Sequence, residues 1–215
     1  MFSLPKRGLA VMKTIRYITL CVCAVATLLE PLAYAQPPTH SDGRYFTYTY
    51  IYTIPAKPRD ANAQTNLGFM YETGTGVKQN YQEAAKWYKQ AATQGNPYAQ
   101  NNLGALYENG LGVKRDYKMA FKLYKQSAER GLAIGQTNTG IMYGRGRGVQ
   151  SSGVEAVKWL RKGANQDNAL AQYALGLCYK LGYGVKHDRK LANYWYGKAA
   201  AQGLAAAQKE LKQVR

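Results

Sequence analysis

Along residues 61–211, apolar and small side chains recur at spacings of three and four, and glycine interrupts them every dozen or so positions. In the first such stretch Ala63, Leu67, Met70, Tyr71 and Gly74 fall on one face of a helix. Gly74-Thr75-Gly76-Val77 then breaks the pattern, glycine supplying backbone angles that other residues resist. Asn80 restarts it, and Glu83 three positions later completes a capping box. The second helix turns Ala84, Trp87, Tyr88, Ala91 and Ala92 inward and stops at Gly95. Asn96-Pro97 opens the next helix, where proline at the first position forfeits no hydrogen bond. The unit is a pair of helices joined by a glycine loop.

That unit recurs at a step of 36. Gly68, Gly104, Gly140 and Gly176 keep the step, as do Tyr71, Tyr107, Tyr143 and Tyr179. So do Val77, Val113, Val149 and Val185, and Ala84, Ala120, Ala156 and Ala192. Gln64, Gln100, Gln136 and Gln172 follow it too, with Gln208 as a fifth member. Asp116 and Asp188 take the capping place of Asn80, and Ser152 with Glu155 repeats the box. One helix pair cannot bury both of its faces, so each unit needs neighbours. The expected fold is therefore an all-α solenoid of four helix–loop–helix units, at residues 61–96, 97–132, 133–168 and 169–206, with a C-terminal capping helix at 207–215. Small residues at Gly68, Ala84 and Ala92 let paired helices approach, and Leu67, Tyr71, Trp87 and Tyr88 are expected between successive units. The third unit departs from the pattern with Thr139, Gly163 and Asp167, which marks it as the expected soft point.

Ala63-Gln64-x-x-Leu67-Gly68-x-x-Tyr71-x-x-Gly74-x-Gly76-Val77, with Ala84-x-x-Trp87-Tyr88-x-x-Ala91-Ala92-x-x-Gly95, resembles the Sel-one-like repeat (SLR) family, a relative of the tetratricopeptide repeat. The glycine-rich loop and the 36-residue step favour this class over the 34-residue tetratricopeptide pattern. The resemblance implies an adaptor that scaffolds protein complexes, in bacterial envelopes among other places. Cysteine-rich bacterial members hold each unit with a disulfide and bind β-lactams, but this chain lacks those paired cysteines.

Positions that stay the same between units are packing positions, and those that vary are free for a ligand. The varying rows on the first helices are Thr65, Asn101, Thr137 and Tyr173; Phe69, Ala105, Ile141 and Leu177; Glu72, Glu108, Gly144 and Lys180; and Thr73, Asn109, Arg145 and Leu181. The tetratricopeptide resemblance places the same rows on the concave, ligand-facing side. Phe69, Ile141, Tyr173 and Leu177 would anchor a partner's peptide or amphipathic helix. Arg145 and Lys180 at one end, opposed by Glu72 and Glu108 at the other, would set its direction. The alternative is that Phe69, Ile141 and Leu177 pack against neighbouring helices.

Residues 1–35 read differently. Lys6, Arg7, Lys13 and Arg16 precede an apolar run at 17–29, and Ala33-Tyr34-Ala35 follows, the order of a secretory signal peptide cleaved after Ala35. The run is 13 residues long, short of the roughly 20 that a spanning helix needs. Translation from Met12 would give a signal of more usual length. A periplasmic or secreted protein is expected. Residues 36–60 are expected to be a leader and irregular N-terminal cap. Within them, 45–54 alternate aromatic residues with threonine like a strand, whereas Ile51, Tyr52 and Ala56 align with Trp87, Tyr88 and Ala92 of a second helix.

The whole chain has 29 Lys and Arg against 12 Asp and Glu, and removal of residues 1–35 leaves 25 against 11, a net charge of +14. Lys86, Lys89, Lys118, Lys122, Lys125, Lys158, Arg161, Lys162 and Lys198 fall on second helices, the convex side of such stacks. They form either a solvated face or a surface for anionic lipid, cell-wall polymer or an acidic partner. No base-reading module accompanies the charge, and no nucleic acid is expected. Catalytic chemistry is poorly represented. Cys178 occupies the slot of Met70, Leu106 and Met142, which marks it as core. His40 and His187 stand apart, no cluster has metal-ligand spacing, and no cofactor is expected. Glu72 and Glu108 would suit a glycosidase carboxylate pair, but duplication explains both more simply. A cell-wall or β-lactam hydrolase is thus a distant third after the adaptor and the surface binder; no enzyme is expected.

Overall fold

The computed structural model describes residues 60–212; the expected signal peptide and almost all of the expected N-terminal cap lie outside the described residues, as do residues 213–215. Among the described residues the chain forms nine helices and no strand. They are α1 (Ala61–Thr73), α2 (Tyr81–Thr93), α3 (Pro97–Asn109), α4 (Tyr117–Glu129), α5 (Ala133–Arg145), α6 (Gly153–Asn165), α7 (Ala169–Leu181), α8 (Arg189–Ala201) and α9 (Ala205–Lys212). Each of the first eight has 13 residues, as a fixed 36-residue step demands. Each helix packs on the next, and successive first helices (α1, α3, α5, α7) also touch one another. First helices therefore line the tighter side of the stack. The C-terminal helix begins at Ala205, two residues before the expected start.

Local chemistry sets the helix ends. Asn80, Asp116, Ser152 and Asp188 cap the second helices, each side chain accepting a backbone N–H of the first turn. First helices end on Gly74, Gly110, Gly146 and Gly182, all left-handed with φ between 65° and 78°. The next loop glycine has a further duty. A Cβ on Gly112, Gly148 or Gly184 would collide with the backbone of Tyr81, Tyr117 or Gly153, the opening residue of the preceding unit's second helix. These glycines let each loop ride directly on the unit before it.

Tyr88 packs against the first helix of its own unit and belongs to the core cluster it shares with Ala99, Leu103 and Leu106 of the next. Its ring lies against the first helix, where a Cβ on Gly68 would stand 2.6 Å from the ring. Tyr196 meets Gly176 in the same way, and Tyr124 meets Gly104 at 3.0 Å. Trp87, expected inward, is half-buried, while Ala85 beside it is buried.

The repeated glutamine staples units together. Gln100, Gln136, Gln172 and Gln208 each donate through Nε2 to the carbonyl of Ala92, Ala128, Ala164 or Ala200 at 3.2–3.4 Å. Those carbonyls lie near the end of the preceding second helix. Gln64, Gln136 and Gln172 also accept, through Oε1, from Gln94, Gln166 and Gln202 of their own unit at 2.7–2.8 Å. A buried amide can be kept only if its polar atoms are satisfied, and this arrangement satisfies both ends. In the second unit Arg130 takes the place of that partner glutamine, and Gln100 Oε1 is buried without a hydrogen-bond partner.

The third unit departs from the pattern as a set. Thr139 is fully buried and returns its hydroxyl to the Gly135 carbonyl at 2.8 Å. A Cβ on Gly163 would stand 2.8 Å from Thr137 Oγ1, so glycine there accompanies threonine opposite. Asp167 adopts φ 57°, left-handed without being glycine; its carboxylate accepts from Gln172 and Lys198, both at 3.1 Å. Leu132 stands at the N-cap of α5 and makes no side-chain cap bond.

Candidate functional site: the first-helix face

The four varying rows on the first helices separate by depth. Thr65, Asn101, Thr137 and Tyr173, expected to line a groove, are buried, Thr137 completely. Asn101 accepts from Asn138 Nδ2 at 2.9 Å, Thr137 donates to the Ala133 carbonyl at 2.8 Å, and the Tyr173 ring lies 5.7 Å from that of Tyr196. Asn101 thus ties its unit to the next, while the Thr137 and Tyr173 contacts stay within their own units. Phe69 and Ile141 are half-buried and pack against core clusters, the packing alternative set out above. Leu177 is half-buried as well.

The row of Glu72, Glu108, Gly144 and Lys180 carries the charge. Glu72 is buried, and the Tyr88 hydroxyl donates to its Oε2 at 2.5 Å. Burial raises its pKa above the usual carboxylate range, and the tyrosine hydrogen bond offsets part of that rise. Glu108 repeats the pair, accepting from the Tyr124 hydroxyl at 2.9 Å. Burial first, and then the Glu108 charge, hold the Tyr124 phenol well above its ordinary range. In the third unit Gly144 and Leu160 replace both members of the pair. In the fourth, Lys180 donates to Glu210 of α9 at 2.6 Å.

The expected separation of an acidic end from a basic end does not occur. Glu108 Oε1 faces Arg147 Nη1 at 3.3 Å and Arg145 Nη1 at 3.9 Å, so opposite charges meet in mid-row. Arg147 also lies over the Tyr117 ring, 5.3 Å from its centroid, and Arg115 approaches that ring at 5.6 Å. Sequence reasoning missed Arg147, although a signal was present: its loop position varies as Thr75, Leu111, Arg147 and Tyr183. The structure shows why that position matters. Its side chain reaches back to the preceding unit's charged row, Arg147 to Glu108 and Tyr183 to the Gly144 carbonyl at 3.2 Å.

The last row stays nearest the surface. Thr73, Asn109 and Leu181 are exposed, and Arg145 keeps 15 % of its side-chain area. On the second helices Lys86, Lys89, Lys118, Lys122, Lys158, Arg161 and Lys162 are exposed. Lys86 and Lys158 pair with Glu83 and Glu155 at 2.5 and 3.2 Å, contacts that stabilise little in water. Cys178 is buried, with its thiol pushed up to about 12 by burial, the opposite of an activated nucleophile. Among the described residues no group of three His, Cys, Asp or Glu could hold a metal, and no helix is long and apolar enough to cross a membrane.

Comparison with known proteins agrees with this architecture. The sequence profile of the Sel1 repeat matches residues 61–96, 97–132, 133–168 and 169–204. The structure is similar to that of c5321, a protective antigen of uropathogenic Escherichia coli strains displaying an SLR fold, with TM-score 0.67 and 37 % identity. That match covers 73 % of this chain and 33 % of the antigen's. A Sel1 repeat protein from Oxalobacter formigenes matches with TM-score 0.67 and 35 % identity over 74 % of this chain and 65 % of its own. A putative sel1-like repeat-containing protein, L18, of Acanthamoeba polyphaga mimivirus is 47 % identical over 45 residues, which are 21 % of this chain and 8 % of that protein. The chain thus spans a third of the antigen and under two thirds of the Oxalobacter protein.

Proposed function

Because this chain is a member of the Sel1 repeat family, whose proteins generally act as protein-interaction scaffolds, we propose that it is an exported adaptor holding a segment of a partner protein along its first-helix face. The observation that carries the reading is the sorting of the varying rows. Three of the four are partly or wholly taken up by packing or internal pairing, while in the last Thr73, Asn109 and Leu181 vary and are exposed, and Arg145, 15 % exposed, faces Glu108. Beside them lie the Glu108–Arg145–Arg147 cluster and half-buried Leu177. Variation without a packing purpose is what a partner-specific contact leaves behind. The positive start, apolar run and Ala33-Tyr34-Ala35 of residues 1–35 support export to the periplasm or beyond. The family is typically non-catalytic, and the raised Cys178 thiol fits a scaffold.

The test is affinity capture from an envelope extract, comparing the native protein with Leu181→Asp and Arg145→Glu variants whose circular dichroism is unchanged. A discrete protein retained by the native chain and lost from both variants supports the adaptor reading. Equal capture by all three rejects this face. An N-terminus at Gln36 in the mature protein tests export.

A second reading rests on the exposed second-helix cations. Lys86, Lys122 and Lys158 repeat at one position and stand beside Lys89, Lys118 and Arg161. Such a face suits an anionic envelope surface. Retention on anionic vesicles that disappears at about 0.5 M salt, where exposed charge contacts are largely screened, supports it; retention unchanged by salt counts against it.

A further inference from the structure

The fourth unit closes the described stack with a cavity of about 310 Å³, lined by Lys180, His187, Arg189, Asn193, Tyr196 and Glu210 among others. At the inner junctions the equivalent ground is covered, because the loop at Gly112, Gly148 or Gly184 lies on Tyr81, Tyr117 or Gly153 of the unit before. Among the described residues no such loop covers Arg189. The residues there also break the repeat in one chemical direction. Arg189 stands where the other units have Tyr81, Tyr117 and Gly153. Asn193 replaces Ala85, Phe121 and Val157; His187 replaces Gln79, Arg115 and Ser151; and Lys180 replaces Glu72, Glu108 and Gly144. Three of the four changes bring in an N–H donor where most equivalents are acidic, aromatic or apolar, and all four meet at one cavity.

We infer that this cavity is a binding site for a small organic carboxylate. One carboxylate is already there: Glu210 accepts from Lys180 Nζ at 2.6 Å and has 18 % of its side-chain area exposed. That pair largely neutralises the Lys180 side of the cavity. Arg189, His187 and Asn193 supply donors for a second carboxylate, with the guanidinium offering the planar fork that such a group accepts in two parallel bonds. The volume lies at the small end of the range of about 300–1,000 Å³ typical of ligand pockets, which suits an acid the size of succinate rather than a folded partner. The site lies on the fourth unit and the helix after it, and does not depend on the adaptor reading of the first-helix face.

The imidazole of His187 gives a local reporter, since the chain has only one other histidine, His40, whose signals are assigned with a His40→Gln variant. Titration of the purified full chain with succinate is expected to shift the His187 ring signals saturably, with Kd near about 1 mM. Arg189→Gln weakens binding by about tenfold, as loss of one charge-assisted contact does. Glu210→Gln strengthens it by roughly threefold or more, because it removes the resident carboxylate that competes for Lys180. An end face that is merely solvated gives neither effect. A response that fails to saturate by about 50 mM, or one unchanged in Arg189→Gln, overturns the site. Tighter binding of inorganic phosphate than of succinate overturns the carboxylate assignment.

Discussion

The first and third units have helices of equal length, the same capping glycines and the same staple glutamine, yet they fill the space between their helices with different chemistry. In the first, a buried carboxylate and a tyrosine hydroxyl bond across the helix pair, Glu72 to Tyr88. In the third, Gly144 and Leu160 stand at the same two places, Leu160 is buried, and Tyr183 reaches in from the next loop to the Gly144 carbonyl. The pair is exchanged whole. A lone tyrosine or glutamate would leave a polar group without its mate in a closed space, at a cost of about 1–3 kcal/mol. The backbone register thus rests on glycines, caps and staples, and the filling between helices can be replaced: both partners change in the third unit, whereas the fourth keeps Tyr196 with Lys180 in the carboxylate's place.

That distinction can be broken most forcefully at the backbone. Gly148→Ala places a methyl in the Tyr117 carbonyl at a left-handed position, whereas Gly131→Ala meets open space at φ 90°. The first should cost about 3 kcal/mol or more, and the second about 1–2, which is the left-handed strain alone. Urea midpoints of the two variants separate close approach from conformation, and equal losses would remove the proposed contact between loop and preceding unit.

The filling comes next. Tyr88→Phe leaves Glu72 buried without its donor and should cost about 2 kcal/mol. Introducing Gly144→Glu and Leu160→Tyr into the third unit should destabilise singly, with the double variant recovering about 1 kcal/mol of the summed loss. A double-mutant cycle with no coupling would show that the pairs are independent after all. Smaller still is the missing cap. Leu132→Asn gives α5 the side-chain acceptor that Asn96 and Asn168 give α3 and α7, and should add up to about 1 kcal/mol.

The finest probe is pH. Glu72 has its folded pKa raised above 4.5, so between that value and the folded pKa the native state binds more protons than the unfolded chain. Stability contributed by protonated Glu72 is present below that window and is lost as pH rises through it. Glu72→Gln, which can still accept from Tyr88, should flatten that part of the stability–pH curve. An unchanged slope would place the titration elsewhere.

The repeat made most of the fold legible. A 36-residue step admits two 13-residue helices and two loops, and Asn80, Asp116, Ser152 and Asp188 cap as their spacing indicates. Depth was harder to read. Variation marked Thr65, Asn101, Thr137 and Tyr173 as free, but a buried position can vary and still be bonded, as Asn101 is to Asn138 and Thr137 to Asn168. Charge was misread for a related reason. Glu108 and Arg147 lie 39 positions apart, more than one repeat, so comparing equivalent positions never sets them side by side. Arg145, one of the expected poles, reaches the same carboxylate.

The glutamine staple bears on how such a chain can change its length. Gln136 and Gln172 each use one carbonyl of the unit before and one glutamine of their own unit, whereas Gln100, with Arg130 at the partner position, keeps only the carbonyl. Duplicating or deleting a whole 36-residue block therefore leaves every staple a carbonyl of the same kind to donate to. Gain or loss of a unit is, at this joint, close to neutral. The binding surface can lengthen by whole steps without a new solution to burying the amide at each seam.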